Sequence, residues 1–450
     1  MARNTAYTDG PIGSVMVKTA LSMLPGTLAI SGYNIVDTYF VSKLGTLPMA
    51  AMGFTFPVVM LVGCLFRGID NGIMTPTAQL LGGGRIPRAA RLISSGMIFM
   101  VIISLCVGIL GSLTIAPVFR TLLKADDTVM KDIRSYMVIW YMGSVTASLG
   151  MATNALLVTS GESRLAGMFM LGGLVLNVIL DPIFIFGFGF IPAMGVAGAA
   201  LATVIAQVAG VIATGSILHF KLRLIAPFNM PVKIITGHWK TILRYGIPAT
   251  CAMLLIPLGS MAVTRAVAEV GGEIAVAATA AAGRIEVVAF VFPMSLGMAL
   301  LPMIGQNYGA KAWNRINQCR RFSMRFAGLV LIMMATIFTI FAPQISTLFS
   351  KDPAVLEIMV RYLRIVSWGL AGVEIHRFGG FFLNGCAHPL GAALLNGSRV
   401  VVFLVPLTFI AVSMNYLDGI FYARLISDLC AGIAGMICAR LVTKSLAKRI

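Results

Sequence analysis

Apolar residues run along this chain in stretches longer than a soluble helix needs, separated by short polar breaks. Twelve such stretches lie near 14–40, 53–81, 92–118, 132–158, 166–190, 195–219, 240–264, 275–308, 323–347, 354–384, 389–414 and 418–442. A hydrocarbon layer about 30 Å thick is crossed by about 20 helical residues. Backbone groups inside lipid must pair within their own segment, so each stretch predicts a helix. The expected fold is an all-α integral membrane protein with twelve transmembrane helices. Several stretches exceed the minimum, which predicts tilt or extension beyond the bilayer.

Composition agrees. The chain is 58% hydrophobic and 11% charged, against roughly 25% charged for a soluble domain. Its 47 glycines and 19 prolines suit membrane helices, where small residues permit close packing. The net charge of +18 raises the question of nucleic acid, but no aromatic-interleaved basic stripe is present, and nucleic-acid binding is not expected. The basic residues instead gather in one set of short loops: Arg85, Arg88, Arg91, Arg164, Lys221, Arg223, Lys233, Arg315, Arg320, Arg321, and the tail Lys444, Lys448 and Arg449. On the opposite side basic residues mix with acids, as in Lys124-Ala125-Asp126-Asp127 and Lys351-Asp352. The positive-inside rule then puts both termini in the cytoplasm. The first residues show no signal-peptide pattern. The seven cysteines form no CxxC and no zinc pattern, and are expected to pack as small buried hydrophobes.

The chain repeats itself. Gln79 near the end of the second span is followed by Arg88, and Gln306 near the end of the eighth by Arg315, at an offset of 227 residues. Ser160-Gly161 with Gly167 recurs as Asn384-Gly385 with Gly391, at an offset of 224. Two six-helix, pseudo-symmetric lobes follow. They are an N-lobe over 1–222, a cytoplasmic linker over 223–239 and a C-lobe over 240–450. Repeat-built transporters hold substrate between such halves, which predicts a central cavity.

Ionisable groups within spans are expensive and mark function by default. Asn177 and Asp181 are four residues apart and share a helix face; Pro182 follows and can open a kink. Asp37 lies in the first span, 19 residues past Lys18 and so roughly 28 Å above the inner interface. Asp181 is 17 residues past Arg164, roughly 25 Å above it. Both carboxyls reach one level in the outer half, where Thr203 of the next, descending helix meets them. Two carboxylates in a poorly solvated site cannot easily both ionise, so such a pair is poised to exchange a proton near neutral pH. The same oxygens, with Asn177 and Thr203, are alternatively sodium ligands. Pro25-Gly26, twelve residues before Asp37, is the expected flex point of the first span.

Three segments carry a resemblance. Asp181-Pro-Ile-Phe-Ile-Phe followed by Gly195-Val-Ala-Gly-Ala-Ala-Leu-Ala-Thr203, Asp37-Thr-Tyr-Phe-Val-Ser-Lys-Leu-Gly45 with Ala50-Ala51-Met-Gly53 and Pro57, and Gly305-Gln306-Asn-Tyr-Gly309-Ala310 resemble segments of the multidrug and toxic compound extrusion (MATE) transporters. The resemblance runs the whole chain. It implies export of amphipathic, mostly cationic compounds in exchange for H+ or Na+, by alternating access, from the plasma (inner) membrane of a prokaryote. It implies no cofactor, small lipophilic cations and the lipid bilayer as partners, and a monomer. The family's DinF-like branch places its coupling network on Asp37, Asn177, Asp181 and Thr203. It also points to Tyr136 and Asn154 as cavity residues. Read by themselves, Tyr136 is an interfacial aromatic and Asn154 a helix-packing amide.

The seventh span, Cys251-Ala-Met-Leu-Leu-Ile-Pro257, lacks the acidic residue of sodium-coupled NorM-like members. Yet Glu286, Glu374, His376, Arg377, Arg399, Arg424 and Asp428 lie inside C-lobe spans. Glu286 and Glu374 are candidate substrate contacts. The simplest other reading is a set of buried ion pairs, Arg424 with Asp428 at i,i+4 foremost, and Arg67 with Asp70 in the second span. No P-loop, GxSxG or HExxH occurs, so ATP-driven transport and enzyme activity are not expected. A second possible function is a lipid-linked oligosaccharide or lipid flippase of the same superfamily. Arg67, Arg284 and Arg399 would then hold pyrophosphate.

Overall fold

The computed structural model describes Tyr7 to Ala447, apart from Phe228 and the side chains of Ser31, Asn34 and Ala447; Lys448 and Arg449 of the basic tail lie outside the described residues. Among the described residues the chain is helical, with a single two-residue bridge between Phe188 and Ile191 and no strand. Helices α1 (Ile12–Ser42), α2 (Thr46–Gly82) and α3 (Ile86–Leu113) are unbroken. Helix α4 runs as Asp127–Met142 and Ser144–Thr159, interrupted at Gly143. Helices α5 (Ser163–Phe186) and α6 (Val196–Ser216) follow. The run Val232–Gly309 is two helices that meet at Gly272, at φ 64° and ψ −165°, a conformation only glycine adopts at little cost. These are α7 (232–271) and α8 (273–309). Helix α9 is Trp313–Ile340. Helix α10 joins Pro353–Val366 to Leu370–Gly385 through a 3-10 turn at Ser367–Gly369. Helix α11 joins Pro389–Ser398 to Val405–Ser413 through a π-turn at Arg399–Leu404, and α12 is Leu417–Ala447. The twelve expected spans are all present. Their ends run past the apolar stretches where charged residues extend a helix beyond lipid, most clearly at the largely exposed start of α7.

The repeat holds in the helix ends. Gly82 and Gly309, Ile86 and Trp313, and Leu113 and Ile340 are each 227 residues apart. Gly143 and Gly369, where α4 and α10 are interrupted, are 226 apart. The turns that follow repeat their left-handed residue too: Gly84 and Lys311, then Gly161 and Ala387. The second half accepts a side chain where the first half uses glycine.

The described chain divides into two compact units. One holds Ser22–Thr250, the other Tyr7–Leu21 and Cys251–Ile450. The divisions fall inside α1 and α7, whereas the sequence placed the boundary in the 223–239 linker. Local contacts explain both. In the first unit, Gly68 and Gly72 of α2 let α7 approach closely; a Cβ on Gly72 would lie 2.3 Å from the Ile242 carbonyl oxygen. The linker is tied to α3 as well. Ser94 Oγ donates to the Ala226 carbonyl and accepts from its amide (3.0 and 2.9 Å), and Trp239 Nε1 donates to the Ser95 carbonyl (2.9 Å). In the second unit, Tyr7 is buried. Its carbonyl accepts from Asn307 Nδ2 (3.0 Å), its amide donates to Gln306 Oε1 (3.3 Å), and Arg315 donates to the carbonyls of Gly10 and Asp9 (2.8 and 3.2 Å). The opening of α1 is therefore held by α8 and α9.

Of the cysteines, Cys319 and Cys386 are buried as expected, but Cys106 and Cys251 are exposed. An apolar thiol needs no protein cover on a face that lipid wets.

Candidate functional site

In the first unit, α5 and α6 are joined by a turn built on glycine. Gly187, Gly189 and Gly195 have φ of 83°, 61° and 58°, the Phe188–Ile191 pair closes it (3.1 and 3.0 Å), and Met194 N donates to the Phe184 carbonyl at 3.0 Å. A Cβ on Gly198 would lie 2.3 Å from that same oxygen. This close return sets the register of α6 against α5 and brings Thr203 opposite Asn177. Asn177 Nδ2 donates to Asp181 Oδ1 at 3.2 Å and approaches Thr203 Oγ1 at 3.4 Å. Asn177 and Asp181 are both 0% exposed. Pro182 leaves α5 continuous to Phe186, but it has no N–H to give the Val178 carbonyl.

Helix α1 crosses α5 at small residues. A Cβ on Gly167 would lie 2.3 Å from the Ser22 carbonyl oxygen, and one on Gly26 2.8 Å from Met170 Sδ. Gly26 therefore serves close packing, and α1 stays helical through Pro25-Gly26. Three turns further on, the Asp37 carboxyl comes within reach of the Asp181, Asn177 and Thr203 side chains. Asp37 Oδ1, Asp181 Oδ2 and Asn177 Oδ1 are buried with no hydrogen-bond partner. Among the described residues no Lys, Arg or His lies within ion-pair distance of either carboxyl. Two like charges about 4 Å apart repel by roughly 4 kcal/mol even at an effective dielectric of 20. The pair therefore holds a shared proton or a cation.

Two tyrosines complete the surroundings. Tyr33 of α1 and Tyr136 of α4 both lie in the field of Asp37 and Asp181. Tyr136 is buried, unlike an interfacial aromatic; it packs with Trp140, Tyr141 and Ile185 in the apolar cluster around α4. Tyr33, one turn before Asp37, was missed at the sequence level, although its i,i+4 spacing to Asp37 is visible there. Asn154 stands apart. Its Nδ2 donates to the Ala166 carbonyl at 3.0 Å, tying α4 to α5.

Asp70 does not pair with Arg67. No ion pair joins them; Asp70 Oδ1 is buried without a partner, and Arg67 is exposed. Neighbours three apart on a helix meet only when both side chains lean the same way.

The second unit treats its acids differently. Glu286 on α8 accepts from Arg424 Nη2 at 2.6 Å, and Asp428 accepts from Arg399 Nη2 and Nε at 2.7 and 2.9 Å. Glu374 pairs with Arg377. The Arg424–Asp428 contact expected from spacing is present but long, at 3.9 Å. Arg424 also donates to the Tyr362 hydroxyl. His376 Nδ1 lies 3.2 Å from the Ala431 carbonyl oxygen. Of the arginines expected for a flippase, Arg399 is held by Asp428, and Arg67 and Arg284 are exposed.

Twelve helices in a repeated arrangement, with a buried carboxyl pair on the first and fifth, define a polytopic membrane transporter. The chain belongs to the MatE family, whose profile matches residues 24–183 and 248–410. The two matched stretches start 224 residues apart, one in each half. A protein of Shewanella oneidensis named "FAD transporter" is 31% identical over 426 residues, covering 95% of this chain and 94% of that protein. A Staphylococcus aureus protein named "Multidrug export protein MepA" is 24% identical over 451 residues, covering 98% and 96%. The Vibrio cholerae MATE transporter VcmN in its bent form superposes with a TM-score of 0.91, at 27% identity, over 96% of this chain and 97% of that one. The chain is thus a transporter and not an enzyme.

Proposed function

We propose that this protein is a cation-coupled antiporter that exports amphipathic organic compounds by alternating access from a prokaryotic plasma membrane, as a monomer with both termini cytoplasmic. One observation carries the reading: Asp37 and Asp181 share a buried site with Asn177 and Thr203, and no basic side chain neutralises it. H+ suits the site better than Na+. One proton shared by the two carboxyls removes their repulsion, and Asn177 already turns its NH2 towards them. Ionised, the pair attracts a lipophilic cation; protonated, it releases it. Substrate and coupling ion then compete for one charge, which makes exchange obligatory. Pro25, Gly26 and Pro182 are the points at which α1 and α5 give. Tyr136 is the aromatic substrate contact beside the pair, with Asn154 one helix crossing away. Efflux of a fluorescent cation such as ethidium, measured in cells expressing Asp37→Asn or Asp181→Asn at normal levels, tests this. Loss of efflux in both is expected, and wild-type efflux in both overturns it.

A second substrate class has its own support. The relative named "FAD transporter" is 31% identical over nearly the full chain, and the second unit buries Glu286 and Asp428 with part-exposed Arg424 and Arg399. A flavin dinucleotide is amphipathic but anionic, and a guanidinium is the side chain best shaped to receive phosphoryl oxygens. FAD appearing in the medium of expressing cells, and not in that of cells lacking the protein, tests this reading.

A further inference from the structure

The cluster in the second unit offers more than internal pairing. Arg399 stands at the first position of the π-turn in α11, a distortion frequent at functional sites. It approaches Asp428 Oδ1 through Nε and Nη2, and among the described residues its Nη1 has no partner. Arg424 reaches Glu286, the Tyr362 hydroxyl and, at 3.9 Å, Asp428. Both guanidinium groups keep some exposure, 18% and 23% of their side chains, while Asp428 is 0% exposed and Glu286 5%. Two carboxylate oxygens, Glu286 Oε1 and Asp428 Oδ2, are buried and accept no hydrogen bond. Asp428 cannot retreat, because Gly369 and Gly372 of α10 press against it; a Cβ on Gly372 would lie 2.2 Å from the Asp428 carbonyl oxygen.

The arrangement therefore presents guanidinium donors beside unused carboxylate acceptors. A group that answers both has anionic oxygens next to hydroxyls. A hydrophobic cation answers neither. A bare anion satisfies the arginines and leaves the two acceptors unpaired, which is costly in a buried site. We propose that Arg399, Arg424, Glu286 and Asp428 form a binding site for a phosphorylated polyol, the phosphoryl oxygens on the guanidinium groups and adjacent hydroxyls on the carboxylates. The proposal rests on the second reading above, in which the exported molecule is a flavin dinucleotide, and names the part of the protein that holds its phosphate end.

The full-length protein in nanodiscs is titrated into FAD, FMN and riboflavin, with binding followed by flavin fluorescence anisotropy. Riboflavin has the ring and polyol without phosphate. Wild type is expected to bind FAD and FMN more tightly than riboflavin. Arg399→Gln is expected to weaken FAD binding about tenfold or more and to leave riboflavin unchanged. Because Arg424→Gln alone strands Glu286, the neutral pair Glu286→Gln with Arg424→Gln is the companion variant, and the same loss is expected there. Equal FAD affinity in wild type and both variants overturns the site while the flavin reading stands. No binding of FAD or FMN by wild type removes the flavin reading and the site together.

Discussion

The two units bury acids in opposite ways. In the first, Asp37, Asp70 and Asp181 have no arginine, lysine or histidine within ion-pair distance among the described residues. In the second, Glu286, Glu374 and Asp428 each meet a guanidinium. A buried carboxylate beside an arginine stays charged and has no use for a proton; one beside another carboxyl must take up a cation from outside the protein. The halves repeat each other's helix ends to the residue, so this difference belongs to side chains and not to the fold. Coupling chemistry follows the unpaired acids.

The comparison breaks most visibly in transport. Asp181→Asn should reduce coupled export by about two orders of magnitude or more, since a group that must bind and release the coupling ion has no substitute. Initial rates of ethidium efflux at matched expression are the measure. Stability should respond in the opposite sense. Arg424→Gln leaves buried carboxylates unpaired, and a loss of about 3–5 kcal/mol is expected. Asp181→Asn removes a repulsion and should leave thermal unfolding in detergent unchanged or raised. Equal destabilisation by both would erase the contrast between the units. Gly167→Ala is expected to cost about 1–3 kcal/mol, because its Cβ would lie 2.3 Å from the Ser22 carbonyl oxygen; the same unfolding assay reads it. Smallest is Asn154→Ala, which forfeits one hydrogen bond to α5, about 1 kcal/mol, and should leave the rate of exchange near wild type.

Much of this was legible in the chain. Long apolar runs give helices because lipid permits little else, and all twelve were found. The depth argument brought Asp37, Asn177, Asp181 and Thr203 together because rise per residue is a reliable ruler along a span. What failed was partner choice. Arg424–Asp428 and Arg67–Asp70 were paired by spacing along one helix. Partners from other helices prevail instead, at 2.6 and 2.7 Å against 3.9 Å, and helix periodicity carries no information about them. Tyr136 failed in the same way: an aromatic near a span end reads as interfacial until α1 and α5 are seen beside it. Gln306 and Asn307 were legible as markers of the repeat, but not as the seat of Tyr7, some 300 residues away.

The central claim is that the two first-unit carboxyls carry the coupling proton. It is tested most directly in proteoliposomes holding a trapped pH dye, with a pH gradient or a sodium gradient imposed in turn. Wild type should release protons in step with substrate movement under the pH gradient and show no substrate movement under sodium alone. Asp37→Asn and Asp181→Asn should lose the proton signal. Substrate-driven proton flux that survives in both variants would contradict the account.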